Sequence, residues 1–594
     1  MPPFERPSVE AIAAAVRSGR CSALEMAEAA LERIAAYDAV QPQAWIERFP
    51  PEAVREQARR IDARLAVGED LPLAGVPYAV KDNIDVAGLP TTAACPAFAY
   101  RPEASAAVVA RLEAAGALMM GKTNLDQFAT GLVGARSPYG DCGCVFNLDY
   151  VSGGSSSGSA VVVGAGLVAF ALGTDTAGSG RVPAAFNHLV GLKPTRGRWS
   201  TRGLVPACRS LDCISVFAGG VADAVLVDQV VAGFDPQDAY SRPQPDVPAA
   251  LMRRLGVPLA HQRNFLGDGQ AQALFEAAVA RAEGLGLEVV AVDIAPLLAA
   301  ARLLYDGPWV AERTANLEDF LRANPGAIHP VVRAILQAGA QVTGAQAFRG
   351  QQALMAHARQ AEALWAQVDA LLLPTTPTIY RRAEVRAEPV ALNSNLGLYT
   401  NFLNLLDMSA IAMPAGFRTD ATGFGVTLAG PAFADRALQA LALRWEAAGA
   451  FEVPPLDLDG RRPEMVRLAV VGAHLSGMPL HWQLSTRQAR LVGAVRTAPL
   501  YGLYAIAGAS PPKPALVHVG EGGAAIEVEV YELTAEHLGG LMVGVAAPLA
   551  IGAVRLADGG VVKGFVGDAS ALGCGEDITR FGGWRAYVAA QAGG

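Results

Sequence analysis

Apolar residues in the first half of the chain alternate between helical and strand spacing. Ser8 can cap a helix that stops at Gly19, and the capping box of Ser22 and Glu25 opens an alanine-rich amphipathic helix to about residue 37. Farther along, the pattern predicts strands at 73–80, 117–120 and 168–172, and helices at 105–115 and 157–166. This alternation predicts an α/β fold with a mixed central sheet flanked by helices.

A second block of core sequence follows at residues 369–430. The run 369–374 predicts a buried strand, and 425–428 predicts a further strand of the sheet. Thr376 and Asn401 lie in this block. Hydrogen bonding within a loop and a helix explains them at least as well as a place in a functional site.

The pattern of polar and apolar residues changes after residue 455. Residues 456–466 are polar and rich in turn formers, which predicts a linker. Beyond it, an apolar run at 467–475, a period-two alternation at 526–530 and a hairpin turn at Asp558-Gly559 indicate a mostly β unit with a helix or two. The pattern therefore predicts a domain at 1–455, a linker at 456–466 and a smaller α+β domain at 467–594.

Composition narrows the class of protein. A chain of 594 residues with 52% hydrophobic residues is too long for one compact core and favours a large enzyme of two domains. A net charge of −8 gives no basic footprint for nucleic acid. Apolar runs such as 160–172 are interrupted by glycine and are shorter than the ~20 residues that span a bilayer, so no membrane partner is expected. Residues 1–6 lack a secretion signal.

The seven cysteines are scattered and odd in number, so they do not make a disulfide framework. Cys142 and Cys144 have no second pair at zinc spacing, and we expect neither a metal nor another cofactor. A reducing cytoplasm is the simplest compartment for such a chain.

The most informative segment, Gly173 to Arg181, places Ser179 at the end of a glycine-rich turn after an apolar strand. A serine hydroxyl is a weak nucleophile and needs a base, yet the nearest histidines form no recognisable serine–histidine arrangement. Lys81, at the end of another apolar strand, is the candidate base. A free lysine titrates near pH ~10.4, so burial would have to favour its neutral form.

A serine–glycine run at 153–159 supplies a link between these two residues. Ser155 would take the proton of Ser179 and pass its own to Lys81. Four small-residue amides could then face a developing oxyanion, those of Thr176, Ala177, Gly178 and Ser179. A phosphate-binding loop is the alternative, but the turn lacks both the Gly-Lys-Ser/Thr ending and the Gly-x-Gly-x-x-Gly pattern.

Four segments in this order, 75–82, 121–126, 153–159 and 173–181, resemble the amidase signature family. Their spacing is similar to that of the family's Ser–cis-Ser–Lys triad. The resemblance implies that Ser179 is the nucleophile, Ser155 the serine after a cis peptide bond at Gly154-Ser155, and Lys81 the base. Ala177 departs from the family's usual glycine, and an alanine demands a negative φ more strictly.

An amidase signature domain followed by a domain like 467–594 resembles the allophanate hydrolases. The resemblance implies hydrolysis of the terminal amide of allophanate (urea-1-carboxylate), a product of urea carboxylase. Ammonia and N-carboxycarbamate result, and the latter decarboxylates to more ammonia and carbon dioxide. In those enzymes a tyrosine and an arginine eight residues apart hold the substrate, and Tyr305 and Arg313 have this spacing. A guanidinium can bind a carboxylate through two parallel hydrogen bonds. Otherwise Arg313 is a surface residue that pairs with Glu312 or Glu318.

The C-terminal segment resembles the gamma-glutamyl-cyclotransferase-like fold in its turns at 472–477 and 501–504. His474, at the end of a strand beside a turn, is the candidate for assisting the decarboxylation, with a structural histidine as the alternative. The family resemblance also implies a homodimer.

Two other functions stay open. One is another enzyme of the amidase signature family, either a general amide hydrolase or the A subunit of the aminoacyl-tRNA amidotransferase. The other is a non-catalytic assembly protein.

Overall fold

A computed structural model describes residues 6–245, 250–458, 460, 465–487, 489–568 and 570–592. The chain forms two compact units, 1–460 and 461–594. Part of the predicted linker, residues 459 and 461–464, lies outside the described residues. Asp457 is held by the first unit, since its N–H donates to the Val145 carbonyl at 2.9 Å and its carboxylate accepts from the Leu148 N–H at 2.9 Å. The domain boundaries stay a prediction.

The first unit is built on an eleven-stranded sheet in the described part of the chain, in the order β1-β3-β2-β6-β8-β7-β12-β13-β11-β9-β10. Parallel and antiparallel pairs occur together in it, which confirms the predicted mixed sheet. A separate two-stranded ribbon is formed by β4 and β5. The strands are β1 (Trp45–Arg48), β2 (Pro77–Lys81), β3 (Leu118–Thr123), β4 (Gly143–Cys144), β5 (Asn147–Val151), β6 (Phe170–Asp175), β7 (Val190–Lys193), β8 (Cys213–Ala218), β9 (Arg254–Pro258), β10 (Glu288–Val292), β11 (Ala370–Pro374), β12 (Ser409–Phe417) and β13 (Gly423–Gly430).

Helices surround this sheet, and the first two begin where their caps predict. The Ser8 hydroxyl accepts from an amide of the first turn, and Ser22 and Glu25 form the capping box. The helices are α1 (Val9–Arg17), α2 (Ala23–Tyr37), α3 (Pro51–Ala66), α4 (Ala107–Ala114), α5 (Ser157–Gly164), α6 (Val182–Phe186), α7 (Val221–Val231), α8 (Gly269–Gly284), α9 (Ala295–Asp306), α10 (Trp309–Ala323), α11 (Pro330–Gly339), α12 (Gly344–Glu362), α13 (Arg382–Ala387), α14 (Ala391–Leu396), α15 (Asn401–Leu405) and α16 (Asp435–Ala447).

The centre of the sheet brings the sequence motifs to one edge. Strands β2 and β6 pair in parallel, with Val80 opposite Leu172, so that their carboxyl ends lie side by side. Strand β6 extends beyond the predicted 168–172 to Asp175, because its last residues pair with β8. The short helix α6 follows at Val182, with Pro183 in its first turn as predicted.

The second unit is mostly β, with a five-stranded sheet in the order β15-β18-β14-β20-β19 and a three-stranded sheet β17-β16-β21. The hairpin of β19 and β20 turns at Gly559, which has a φ of 88°. Strand β14 is shorter than the predicted 467–475. The elements are β14 (Met465–Val470), α17 (Trp482–Ser485), β15 (Arg490–Arg496), β16 (Tyr501–Ile506), β17 (Pro514–His518), β18 (Glu527–Thr534), α18 (Ala535–Met542), β19 (Leu549–Arg555), β20 (Val561–Gly567), α19 (Ala571–Cys574), β21 (Gly575–Asp577) and α20 (Trp584–Ala592).

None of the helices among the described residues combines the length and the hydropathy needed to cross a membrane.

Candidate active site

Lys81 lies at the end of β2 and is completely buried. Its Nζ donates to Ser155 Oγ at 2.8 Å and to Thr174 Oγ1 at 2.7 Å. Burial lowers the pKa of Lys81 to about 7, although nearby carboxylates, that of Asp126 most strongly, act in the opposite direction. A lysine with this pKa is partly neutral at physiological pH and can accept a proton.

Ser155 reaches Lys81 from the segment that precedes α5. The peptide bond Gly154-Ser155 is cis, which confirms that prediction. Gly153 has a φ of 76°, and a Cβ on it would lie 2.8 Å from the Cα of Pro183 in α6. The serine–glycine run therefore passes directly against the helix that follows the glycine-rich turn.

Ser179 is buried in the glycine-rich turn, which directly precedes α6. Its hydroxyl donates to the Gly131 carbonyl at 3.5 Å, and the structure, which describes both serines, contains no hydrogen bond from Ser179 to Ser155. The predicted trio is thus assembled as a closed Lys81–Ser155 pair with Ser179 beside it. A serine hydroxyl rotates to suit its partner, and such bonds often tighten only around a substrate.

The glycine-rich turn has the small residues that its backbone requires. Gly178 has a φ of 133°, and a Cβ there would lie 2.5 Å from Thr400 Oγ1, so only glycine fits. Ala177 does not have a positive φ, which explains why alanine is accepted there.

One of the four predicted oxyanion amides needs a correction. The Gly178 N–H donates to Asp175 Oδ1 at 2.8 Å and is therefore not free to bind an oxyanion. In the part of the chain that the structure describes, the N–H groups of Thr176, Ala177 and Ser179 make no hydrogen bond. These three remain as candidate donors.

The turn is clamped by charged residues of its own motif. Asp175 and Arg181 form a buried two-point ion pair, with Nε–Oδ2 at 2.9 Å and Nη2–Oδ1 at 2.8 Å. Arg181 also donates to the Thr400 carbonyl and to Asn404 Oδ1, and Asn404 Nδ2 donates to the Asp175 carbonyl at 2.7 Å. This network fixes the backbone on both sides of Ser179.

A second buried carboxylate, Asp212, holds the start of the same turn. The Thr176 hydroxyl donates to Asp212 Oδ1 at 2.6 Å, and the Ala207 N–H donates to Oδ2 at 2.9 Å. Burial raises the pKa of Asp212 to about 6, and the hydrogen bond from Thr176 opposes this shift.

Tyr305 and Arg313 lie together on α9 and α10, the Arg313 guanidinium carbon being 5.9 Å from the centre of the Tyr305 ring. Arg313 is buried, and its Nη1 donates to Thr130 Oγ1 at 3.1 Å. Since the carbonyl of the next residue, Gly131, accepts a hydrogen bond from the Ser179 hydroxyl, Arg313 lies in the neighbourhood of Ser179. The alternative of a surface arginine paired with Glu312 is wrong, because Glu312 instead accepts from the Ser210 N–H and hydroxyl.

Sequence reasoning missed the roles of several polar residues at this site. Thr174, Asp175 and Arg181 stand inside the very motif that singled out Ser179, so their polarity beside a buried strand was the available signal. Asn404 carried no comparable signal, since it comes from a helix 229 residues farther along the chain.

In the second unit, His474 lines a cavity of about 230 Å³ together with Gln483, Lys513 and Phe565. Its ring stacks on Phe565 at 4.7 Å between centres, and its Nε2 lies 2.9 Å from Gln483 Oε1. Burial lowers the pKa of His474, and the positive charge of Lys513 acts in the same direction. The cavity thus contains both a half-buried imidazole and a cation, Lys513, which sequence reasoning did not single out.

Comparison with known proteins finds a matching family model for each of the two units. The family model "Amidase" matches residues 25–438, and the chain belongs to this family. A second model, "Allophanate hydrolase C-terminal domain", matches residues 466–589.

Individual relatives are similar to this chain over most of its length. It is 44% identical over 582 residues to the urea amidolyase of Lachancea kluyveri, covering 93% of this chain but only 31% of the relative. Over 571 residues it is also 44% identical to the urea amidolyase of Saccharomyces cerevisiae, covering 92% of this chain and 31% of that relative. The structure of Kluyveromyces lactis allophanate hydrolase superimposes with a TM-score of 0.69 at 41% identity, over 96% of this chain and 98% of that one.

Proposed function

We propose that this chain is an allophanate hydrolase, which cleaves the terminal amide of allophanate through Ser179, Ser155 and Lys81. The observation that carries the proposal is the buried Lys81 Nζ, 2.8 Å from Ser155 Oγ, beside the turn of Ser179. The likeness to the Kluyveromyces lactis allophanate hydrolase over both units, at 41% identity, supports the choice of substrate.

In the first step, Ser179 Oγ attacks the terminal amide carbonyl of allophanate. The proton of Ser179 passes to Ser155, and the proton of Ser155 passes to neutral Lys81, whose pKa of about 7 supplies the neutral form. The free N–H groups of Thr176, Ala177 and Ser179 stabilise the tetrahedral oxyanion.

Collapse of this intermediate breaks the carbon–nitrogen bond. The leaving nitrogen receives the proton back from Lys81 through Ser155 and departs as ammonia. Water then attacks the acyl-enzyme by the reverse route, which regenerates Ser179 and releases N-carboxycarbamate. In this scheme the lysine and the two serines carry the protons that move during amide cleavage and deacylation.

The carboxylate of allophanate is held at the other end by Tyr305 and Arg313. Arg313 is buried close to Thr130, so its charge is hardly screened by water. A planar guanidinium fits a planar carboxylate through two N–H groups, which orients the amide toward Ser179.

The second unit acts on the released product. We assign N-carboxycarbamate to the cavity of His474 and Lys513, where Lys513 attracts the dianion. The negative charge of the bound dianion opposes the lowered pKa of His474, so that the protonated imidazole can supply the proton that the nitrogen gains as carbon dioxide leaves. The remaining carbamate takes up another proton and gives ammonia and a second carbon dioxide. A structural histidine is the competing role.

The proposal also includes a partner enzyme, an oligomeric state and a cellular location. Allophanate carries a carboxylate on urea, so urea carboxylase is the partner that supplies it. A homodimer and a cytoplasmic location complete the proposal. Six cysteines are free thiols, which suits a reducing compartment: Cys21, Cys95, Cys142, Cys144, Cys208 and Cys213.

The test measures ammonia release from allophanate, its neutral analogue biuret and acetamide, by the full chain. We expect allophanate to be preferred and Ser179→Ala to abolish the reaction on all three substrates. Arg313→Gln should reduce turnover of allophanate far more than that of biuret. Equal turnover of acetamide and allophanate would instead favour a general amide hydrolase, and activity that persists in Ser179→Ala would contradict the mechanism.

A further inference from the structure

Five arginines fall in the buried class among the described residues, and they divide into two groups. Three of them make ion pairs with carboxylates: Arg181 with Asp175 at 2.8 Å, Arg198 with Asp228 at 2.7 Å and Arg418 with Asp268 at 2.9 Å. The other two, Arg136 and Arg313, have no carboxylate within 4.0 Å in the described part of the chain, although each is only 2% exposed. A buried cation without a counter-ion is expensive.

The two unpaired arginines contact the same residue. Arg313 Nη1 donates to Thr130 Oγ1 at 3.1 Å, and Arg136 Nη1 donates to the Thr130 carbonyl at 3.0 Å. The next residue, Gly131, faces Ser179 Oγ. Two guanidinium groups therefore approach the site from the two sides of one residue that adjoins the nucleophile.

Both guanidinium groups keep unused donors. The Nε atoms of Arg136 and Arg313 are buried without a hydrogen-bond partner in the described part of the chain. Arg136 Nη2 is used by the Pro389 carbonyl at 2.6 Å, so this side chain is held in place while its Nε stays free. Buried N–H donors of a cation that lack an acceptor are costly, and an anion satisfies them.

The local electrostatics agree with this geometry. Burial lowers the pKa of Arg136, and the charge of Arg313 acts in the same direction, while Asp126 and Tyr305 oppose it. The Asp126 carboxylate is occupied elsewhere, since its oxygens accept from three backbone N–H groups, those of Val133, Gly134 and Arg136. Asp126 therefore does not pair with either guanidinium.

We propose that Arg136 is a second residue of the carboxylate-binding end of the active site and helps to determine specificity for anionic amides. This inference rests on the proposed function. Arg313 binds the carboxylate, and Arg136, which contacts the carbonyl of the same Thr130, adds positive potential and a free donor. The pair explains how the site selects against neutral amides, because a neutral ligand leaves two buried cations uncompensated.

The experiment compares allophanate with biuret, in which an amide replaces the carboxylate and the rest of the molecule is unchanged. Arg136→Gln and Arg136→Lys are assayed as full chains with both substrates. Arg386→Gln is the matched control, because it removes an exposed arginine that pairs with Asp141 near the same segment. The ratio of kcat/KM for the two substrates is the main readout, since partial misfolding lowers both values equally.

Arg136→Gln should lower kcat/KM for allophanate by roughly 10- to 100-fold, mainly through KM, and leave the value for biuret within about 2-fold. Arg136→Lys, which keeps the charge, should lie between the wild type and Arg136→Gln, and Arg386→Gln should match the wild type. Titration calorimetry in a Ser179→Ala background should give the same loss of allophanate affinity without turnover.

An equal loss on both substrates would overturn the inference, because it would make Arg136 a structural tie between Thr130 and Pro389. So would an unchanged allophanate affinity in the Ser179→Ala background. Failure of the proposed function has a different signature, namely a wild type that does not prefer allophanate to biuret.

Discussion

Burial is what separates Lys81 from an ordinary lysine. A surface lysine stays protonated at neutral pH, whereas Lys81 has no exposed surface and a pKa of about 7. Two hydroxyl groups, of Ser155 and Thr174, are its hydrogen-bond acceptors in the folded chain. The protein therefore provides a base at neutral pH without a histidine.

The pKa of about 7 for Lys81 predicts how catalysis depends on pH. The base must be neutral, so kcat/KM should rise as the pH increases through about 7 and level off above it. The direction follows from a lowered lysine pKa, since raising the pH removes the proton that blocks the base. Initial rates of ammonia release between about pH 5.5 and 9 check this. A profile that stays flat across the acid half of that range, or that rises only near the value of a free lysine, would contradict the role of Lys81.

The hydroxyl of Thr174 should influence the pKa of Lys81, and with it the pH at which kcat/KM reaches half of its maximum. Replacing Thr174 with valine keeps the shape but removes an acceptor 2.7 Å from the Lys81 ammonium. Because the lost bond favours the protonated form, the pKa of Lys81 should fall further, by about one unit. The acid limb of the pH profile should therefore move to lower pH. Thr123→Val is the matched control, since the Thr123 hydroxyl bonds Ser159 instead of Lys81.

At the scale of elements, the glycine-rich turn depends on the clamp between β6 and α6. Asp175 and Arg181 are both completely buried, so removing one charge leaves the other without its partner. Arg181→Gln should lower the stability of the first unit by about 3–5 kcal/mol, and Arg181→Lys by less. The midpoint of thermal unfolding measures this, with exposed Arg386→Gln as the control. An unchanged midpoint in Arg181→Gln would contradict the clamp.

The elements differ in how far the sequence predicts them. Local signals placed α1 and α2 correctly, because caps act over a few residues. The strand predicted at 73–80 overlaps β2 but begins four residues too early and ends before Lys81. Strand β6 extended past its apolar run to Asp175, since pairing with β8 outweighed the glycine and the polar residues at its end.

The residues of the candidate site also differ in how far the sequence predicts them. Lys81 and Ser155, 74 residues apart, were paired by chemistry and family resemblance and lie 2.8 Å apart in the structure. Asn404 and Arg136 gave no such signal, because their contacts come from packing between distant segments. The Gly178 amide was misjudged for a related reason, since the side chain of Asp175 accepts its hydrogen bond and removes it from the set of free donors.

At the scale of the whole molecule, the proposed function gives the two units two sites for consecutive reactions. The first unit holds the lysine–serine pair, and the second has its own hydrophobic core and a cavity with His474 and Lys513. In the proposed reaction, amide cleavage releases an unstable dianion, N-carboxycarbamate. A second site on the same chain is useful only if it handles that product, so its effect should appear in the product time course and not in the rate of amide cleavage.

This reasoning predicts a specific phenotype for the second site. In His474→Gln and in Lys513→Gln, the first ammonia should appear at the wild-type rate, while the second ammonia and carbon dioxide lag behind. Loss of a positioned proton donor slows such a step by about 100-fold or more, down to the floor set by spontaneous decarboxylation. Assays that follow ammonia and carbon dioxide separately at neutral pH, where the wild-type His474 can still be protonated, make the lag visible. His518→Gln, in β17 and outside the cavity, is the control. If both ammonia equivalents kept pace in the His474 and Lys513 variants, His474 would be a structural residue stacked on Phe565 and the second site would have to be sought elsewhere in the unit.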